Sequence, residues 1–290
     1  MEKLTVFETF TEYFCRCGKE RFEAVLFDID GTLSAGGKPL PGARELLLLL
    51  EEQQFPYILL TNDSCNSHKE KAAILHRGNI SVPEERIYSC GDVLKLWKKN
   101  SNYQGQLLFR CGKLGTPDYA ELAGINTTAD PERLPQCAGV IWGEGAYDWK
   151  TAMEGVFNFY LANPQAPLIV VNPDSYWPAT DHSGMGIGSG AQARFICTVL
   201  RDAGITVEPF YIGKPYPPVY QGVMAELSEL LGRRIAPEKI AMVGDSLASD
   251  IQGANANGVC SCLVLSGITT LTLAEAAPEH RKPQMIFSGV

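Results

Sequence analysis

Short, continuously apolar stretches punctuate this chain, and their placement predicts its architecture. Residues 24–27 (AVLF), 57–60 (YILL), 209–212 (PFYI), 240–243 (IAMV) and 262–265 (CLVL) are unbroken runs, the pattern of parallel strands covered on both faces. Helical periodicity lies between most of them: a Leu-rich segment at 42–54 opened by Pro41-Gly42, a basic amphipathic one at 67–77, and a Met/Leu-spaced one at 217–231 before Gly232. Alternation of strand and helix builds a doubly wound parallel sheet, so the expected fold class is α/β.

One interval is too long for a crossover. Thr61 and Lys214, just past the second and third runs, are 153 residues apart, whereas a crossover needs about a dozen. A second domain must be inserted there. Its own runs at 106–110, 138–142 and 167–171 alternate with helical stretches at 91–99, 117–123 and 149–162. The pattern predicts a small α/β lid over 88–190, with 1–87 and 191–290 forming the main unit. Residues 1–22 read as an amphipathic N-terminal extension (Leu4, Phe7, Phe10, Tyr13, Phe14) with no chemistry of its own.

In an open parallel sheet, ligands sit at the carboxyl ends of the strands. The residues just past each run are Asp28 and Asp30; Thr61-Asn62-Asp63-Ser64; Gly213-Lys214-Pro215; and Gly244-Asp245-Ser246, with Asp250 five residues beyond Asp245. Carboxylates, a hydroxyl and one ammonium thus converge on one edge, which suits phosphoryl transfer. In-line displacement at phosphorus needs a nucleophile, neutralised equatorial oxygens and a proton for the leaving oxygen. A carboxylate can attack to give an aspartyl-phosphate. Clustered Asp side chains are hard ligands for Mg²⁺, which would relieve repulsion between carboxylate and phosphate. Lys214 adds a second positive charge, and Thr61 with amides at the start of the 67–77 helix can hold phosphate oxygens. The second carboxylate of the Asp28/Asp30 pair is then available as general acid and base.

Taken in order, Asp28-Ile29-Asp30-Gly31-Thr32, Leu60-Thr61-Asn62, Gly213-Lys214-Pro215 and Val243-Gly244-Asp245-Ser246-Leu247-Ala248-Ser249-Asp250 resemble the four motifs of the haloacid dehalogenase (HAD) superfamily. The closest likeness is to its NagD-like and p-nitrophenylphosphatase-like branch, subfamily IIA, and runs from about residue 22 onward. It includes Asn172-Pro173-Asp174, similar to the segment where that branch's lid returns to the core. The resemblance implies a HAD core carrying an inserted cap of the C2 type. It implies Asp28 as nucleophile and metal ligand, and Asp30 as acid/base and main-chain metal ligand. Thr61 and Asn62, with the adjoining Asp63, would form the phosphate loop; Lys214 would steady nucleophile and phosphate; Asp245 would be the third protein ligand to Mg²⁺, and Asp250 would stand behind it. Two departures stand out. Asp63 replaces a second Asn of many relatives, and Gly184, Gly186, Gly188 and Gly190 replace a Pro-Gly pair, suggesting a flexible hinge.

Other motifs lead nowhere. Gly186-Ile187-Gly188-Ser189-Gly190-Ala191 fits a relaxed dinucleotide fingerprint but follows Asp181-His182-Ser183 instead of a strand. The Asp28 loop lacks the Gly and Glu of a calcium loop, and His68, His76, His182 and His280 do not cluster in sequence. In the lid, Tyr176 and Trp177, beside Asn172-Pro173-Asp174, are the candidate substrate contacts, and His182 would be informative with them.

Composition narrows the class further. At 45% apolar and 20% charged residues the chain can bury a large core, and its net charge of −8 argues against nucleic-acid or anionic-membrane binding. No apolar stretch reaches the roughly 18–20 residues of a membrane span, and the start lacks a secretion signal. The nine cysteines show no metal or disulfide spacing and read as reduced core thiols in a cytoplasmic protein, Cys65 beside the phosphate loop being the one candidate for reactivity. The expected partner is a small phosphorylated metabolite, with neither nucleic acid nor membrane, and the lid offers a face for homo-oligomer contacts. The function read from the residues is Mg²⁺-dependent hydrolysis of a phosphomonoester. The rivals are a phosphotransferase on the same site and a catalytically silent binding protein.

Overall fold

The computed structural model describes residues 5–145, 147–178 and 184–290. Its larger sheet has seven strands in the order Val6–Thr9, Met285–Gly289, Cys260–Val264, Ile240–Gly244, Ala24–Phe27, Tyr57–Thr61, Ile87–Ser89, every neighbouring pair parallel. The runs at 24–27, 57–60, 240–243 and 262–265 supply four of these strands, all buried throughout. Val25, Phe27 and Leu59 face helix Ala43–Glu52, while Leu26, Ile58 and Leu60 face helix Pro217–Leu231 on the other side. Gly232, at φ 65°, ends that helix in the left-handed conformation that glycine adopts at least cost.

A smaller parallel sheet follows the order Phe210–Tyr211, Leu168–Val170, Val140–Trp142, Leu108–Cys111, Thr127–Thr128. Side chains alternate across it. Phe109, Val140, Trp142, Leu168 and Val170 pack with helices Trp149–Ala162 and Ser189–Asp202. Leu108, Ile141 and Ile169 instead join the cluster that holds Leu26, Ile58 and Leu60, bridged by Val93 and Leu94 of helix Val93–Asn100 and Tyr119 of helix Tyr119–Leu122. One apolar layer therefore belongs to both sheets. Each fully buried Leu or Ile in it contributes about 1.5–3 kcal/mol relative to exposure.

Three expectations change. The run at 209–212 is not a strand of the large sheet: only Phe210–Tyr211 is extended, it pairs with Leu168–Val170, and Phe210 is 46% exposed. An apolar run need not be a buried one. The insert's packing does not stop at 190, because Ala193, Ile196, Cys197 and Leu200 of the next helix share a cluster with Val156 and Phe159; residues 191–211 pack with the insert. The second half of the glycine ladder, Gly188 and Gly190, is close-packed on backbone, whereas Gly184 stands in open space. A Cβ on Gly188 would lie 2.2 Å from the Asp174 carbonyl oxygen, and one on Gly190 2.0 Å from that of Pro173.

The N-terminal segment is part of the sheet. Val6–Thr9 forms an edge strand, and Thr9 caps helix Phe10–Tyr13 through a reciprocal capping box with Glu12. Phe10 meets Phe27 and Phe287 edge-on, with ring centroids 5.7 and 5.4 Å apart, a geometry favoured by aromatic quadrupoles.

Candidate active site

Parallel pairing brings the ends of three neighbouring strands to one edge: Phe27 is in register with Val243 on one side and Leu59 on the other. Asp28 follows immediately, its N–H donating to the Val243 carbonyl at 2.8 Å. Lys214 reaches the same point from the lid's return segment and is 1% exposed. Its ammonium donates to Asp28 Oδ1 at 2.6 Å, Asp250 Oδ1 at 2.7 Å and the Leu60 carbonyl at 2.9 Å. All three protons are used. Burial alone would lower the Lys214 pKa, but Asp250 and Asp28 push it well above the ordinary lysine range.

Asp250 is fully buried, and its second oxygen accepts from the Ser246 N–H at 3.0 Å. It is the fixed counterion of Lys214. Asp245 lies in a cradle of backbone: a Cβ on Gly31 or Gly267 would fall 2.2 or 1.8 Å from its Oδ2, which accepts from the Ile268 N–H at 2.7 Å. Burial and the Asp250 charge raise its carboxyl to about 7. Burial raises Asp28 well above the usual carboxylate range too, Asp250 and Asp245 adding to the effect and Lys214 opposing it. Asp28, Asp245 and Asp250 present oxygens within 4.8 Å of one another. Three carboxylates thus lie beside one ammonium that bonds only Asp28 and Asp250, and an all-oxygen set short of positive charge fits a hard divalent cation.

The Asp30 carboxylate points elsewhere. It is half exposed and pairs at 3.0 Å with Lys71, which also pairs at 2.8 Å with Asp63. Lys71 is a site residue that the motif reading missed. It shares the buried side of helix His68–Arg77 with Leu75, and a lysine where an apolar residue belongs was the available signal.

Hydrogen bonding engages two of the phosphate-loop side chains. The Asn62 carboxamide donates to Asp174 Oδ2 at 3.1 Å and to the Lys214 carbonyl at 2.9 Å, and accepts from the Lys214 N–H at 2.8 Å. It ties the loops together, so only its backbone remains for phosphate. Asp63 accepts from the Cys65 and Asn66 amides, the Asn66 side chain and Lys71. Against its burial, Lys71 and Asn66 hold its carboxyl below the usual range. An ionised carboxylate so engaged braces the loop; it does not bind an anion. Thr61 is 3% exposed, and its hydroxyl oxygen accepts from the Asp63 N–H at 3.0 Å, leaving the hydroxyl proton for a ligand.

From the lid, Glu144 accepts from Asn172 Nδ2 at 2.6 Å and from the Ser64 N–H at 3.4 Å. Removal from water, with Asp63 and Asp174 nearby, raises it to about 8. Burial and the neighbouring Glu144 carboxylate push the Cys65 thiol up to about 12, which disfavours the nucleophilic thiolate. Tyr176 and Trp177 stay outside the cluster. They lie on a ribbon pairing Tyr176–Pro178 with Met185–Ile187, are 56% and 42% exposed, and among the described residues neither hydrogen-bonds to the site. His182 lies outside the described residues.

Comparison with known proteins gives a consistent picture. A family profile described as haloacid dehalogenase-like hydrolase matches residues 25–126, and one described as HAD-hydrolase-like matches 211–290. Dihydroxyacetone phosphatase of Corynebacterium glutamicum is 28% identical over 245 residues, covering 84% of this chain and 81% of its own. The ribonucleotide monophosphatase NagD of Escherichia coli is 26% identical over 274 residues, covering 92% and 96%. Among solved structures, a possible sugar phosphatase from Cytophaga hutchinsonii superposes with a TM-score of 0.80 at 24% identity, covering 99% of this chain and 98% of its own.

Proposed function

Because this chain belongs to the haloacid dehalogenase-like hydrolases, we propose that it is a phosphatase that hydrolyses a small phosphomonoester through a phosphoaspartyl intermediate on Asp28. One observation carries the assignment: Lys214 holds Asp28 Oδ1 at 2.6 Å at the strand edge, beside Asp245. The relatives named as phosphatases support the same reaction.

Asp28 Oδ2 attacks phosphorus, and the bond to the leaving oxygen breaks as Asp30 supplies its proton. Water then attacks phospho-Asp28, giving its proton back to Asp30 and releasing inorganic phosphate. Throughout, Lys214 and the Thr61 hydroxyl face charge on the phosphoryl oxygens. Asp28 and Asp245, with the Asp30 main-chain oxygen, would hold Mg²⁺, which would neutralise the phosphate dianion when bound. Asp250 stays with Lys214 in this reading, both its oxygens being engaged. The insert from about residue 90 to 211 acts as the lid that excludes water and selects the leaving group. Nine unpaired cysteines support placement in the reducing cytoplasm.

A panel of phosphomonoesters assayed with Mg²⁺ and with EDTA tests this reading. The wild type should release phosphate only with the metal, and Asp28→Asn should lower kcat by at least about 1,000-fold while its circular dichroism remains that of the folded protein. Full turnover by the Asn variant would sink the assignment.

A further inference from the structure

Lys71 takes no part in the steps above, yet its side chain is only 7% exposed and joins two loops of the site. A buried ammonium is retained only if paired. Both partners here lie outside its helix: Asp30 Oδ2, from the nucleophile loop, at 3.0 Å and Asp63 Oδ2, from the phosphate loop, at 2.8 Å.

We propose that Lys71 is a positioning residue for phosphoryl transfer, cross-linking the Asp30 loop to the phosphate loop and cancelling the charge that Asp63 brings beside the phosphate. The proposal rests on the phosphatase reading. Asp63 stands two residues past Thr61 and fixes the turn by accepting the Cys65 and Asn66 amides at 2.9 and 3.2 Å. An asparagine there could accept the same amides through one oxygen without a charge. The carboxylate makes the loop anionic where a dianion must bind, and the buried lysine offsets it. Removing Lys71 leaves Asp63 uncompensated and Asp30 without its lateral anchor; removing both charges leaves the loop neutral.

The sign of the double mutant is therefore diagnostic. Calorimetric binding of inorganic phosphate with Mg²⁺ present and kcat/KM on p-nitrophenyl phosphate would be measured for Lys71→Met, Asp63→Asn, the pair together and Lys71→Arg. Lys71→Met should weaken phosphate binding and kcat/KM by about tenfold or more, and adding Asp63→Asn should recover most of the lost binding. Lys71→Arg, keeping the charge, should stay within about threefold of wild type. A packing role predicts the reverse, a double mutant as weak as Lys71→Met or weaker, and that result overturns the proposal. If Lys71→Met does not fold, Asp63→Asn still decides: phosphate binding weakened more than about threefold is incompatible with a charge that opposes binding. Phosphate binding needs no turnover, so a wild type that binds phosphate with the expected mutant pattern but hydrolyses nothing would condemn only the phosphatase reading.

Discussion

Lys214 has three protons and three acceptors, so any change to its surroundings leaves a buried charge in the wrong company. Truncating a partner of such a pair typically costs about 3–5 kcal/mol. Glu144 presents the opposite case, a buried carboxyl whose two hydrogen-bond partners, Asn172 and the Ser64 N–H, are neutral while its neighbours Asp63 and Asp174 share its sign. It ionises near 4.5 when solvated and near 8 in the folded protein. A carboxyl raised on folding costs nothing below its unfolded pKa and withdraws stability as pH climbs through the folded one. Glu144→Gln should therefore raise the melting temperature clearly at pH 8.5 and hardly at pH 4.5. An equal shift at both values would show that ionisation is irrelevant. At this scale the sequence marked which residues gather at the sheet edge and was poor about which atoms brace them. Asp28 stands directly after an apolar run, and Lys214 and Asp245 one glycine beyond theirs, whereas the engagement of Asn62 and Asp63 depends on Asp174 and Lys71, partners that strand-end position cannot reveal.

Helix His68–Arg77 shows how one element serves both halves of the molecule. Ser67 caps it, and Glu70 closes the capping box by accepting the Ser67 N–H at 2.8 Å. The same carboxylate accepts the Thr116 N–H and the Lys113 ammonium, both at 2.8 Å, from the lid. Outweighing its desolvation, Lys113 and the two amides lower Glu70 to about 2. Glu70→Ala should cost about 1–2 kcal/mol and accelerate amide hydrogen exchange at Lys113 and Thr116. Unchanged exchange there would mean that the lid loop is held by other contacts. The Ser67/Glu70 spacing was readable as a capping box, but the lid partners were not, since nothing local in 111–116 marks them. Element positions otherwise followed the apolar pattern closely, and it failed at 209–212, where composition looks like a buried strand and Phe210 faces solvent.

Across the whole molecule, the layer shared by Leu26, Ile58, Leu108, Ile141 and Ile169 makes the two sheets thermodynamically dependent. Calorimetry should show one unfolding transition for the metal-free protein, not two; separate transitions would mean that the shared layer parts before either sheet melts. The insertion itself was legible from the distance between Thr61 and Lys214, but its end was not, because residues 191–211 continue the helix-strand pattern without a break. The edge strand Val6–Thr9 has a further consequence. Its neighbour in the sheet is Met285–Gly289, with Thr9 aligned to Gly289, so the ladder joins residues 280 apart in sequence and closes the largest loop in the sheet. The contact of Phe10 with Phe287 depends on that same long-range pairing, while Phe14 rests against Phe55. Contacts so distant in sequence form slowly, so in refolding the amides of Val6–Thr9 should be the last of the sheet to gain protection from hydrogen exchange.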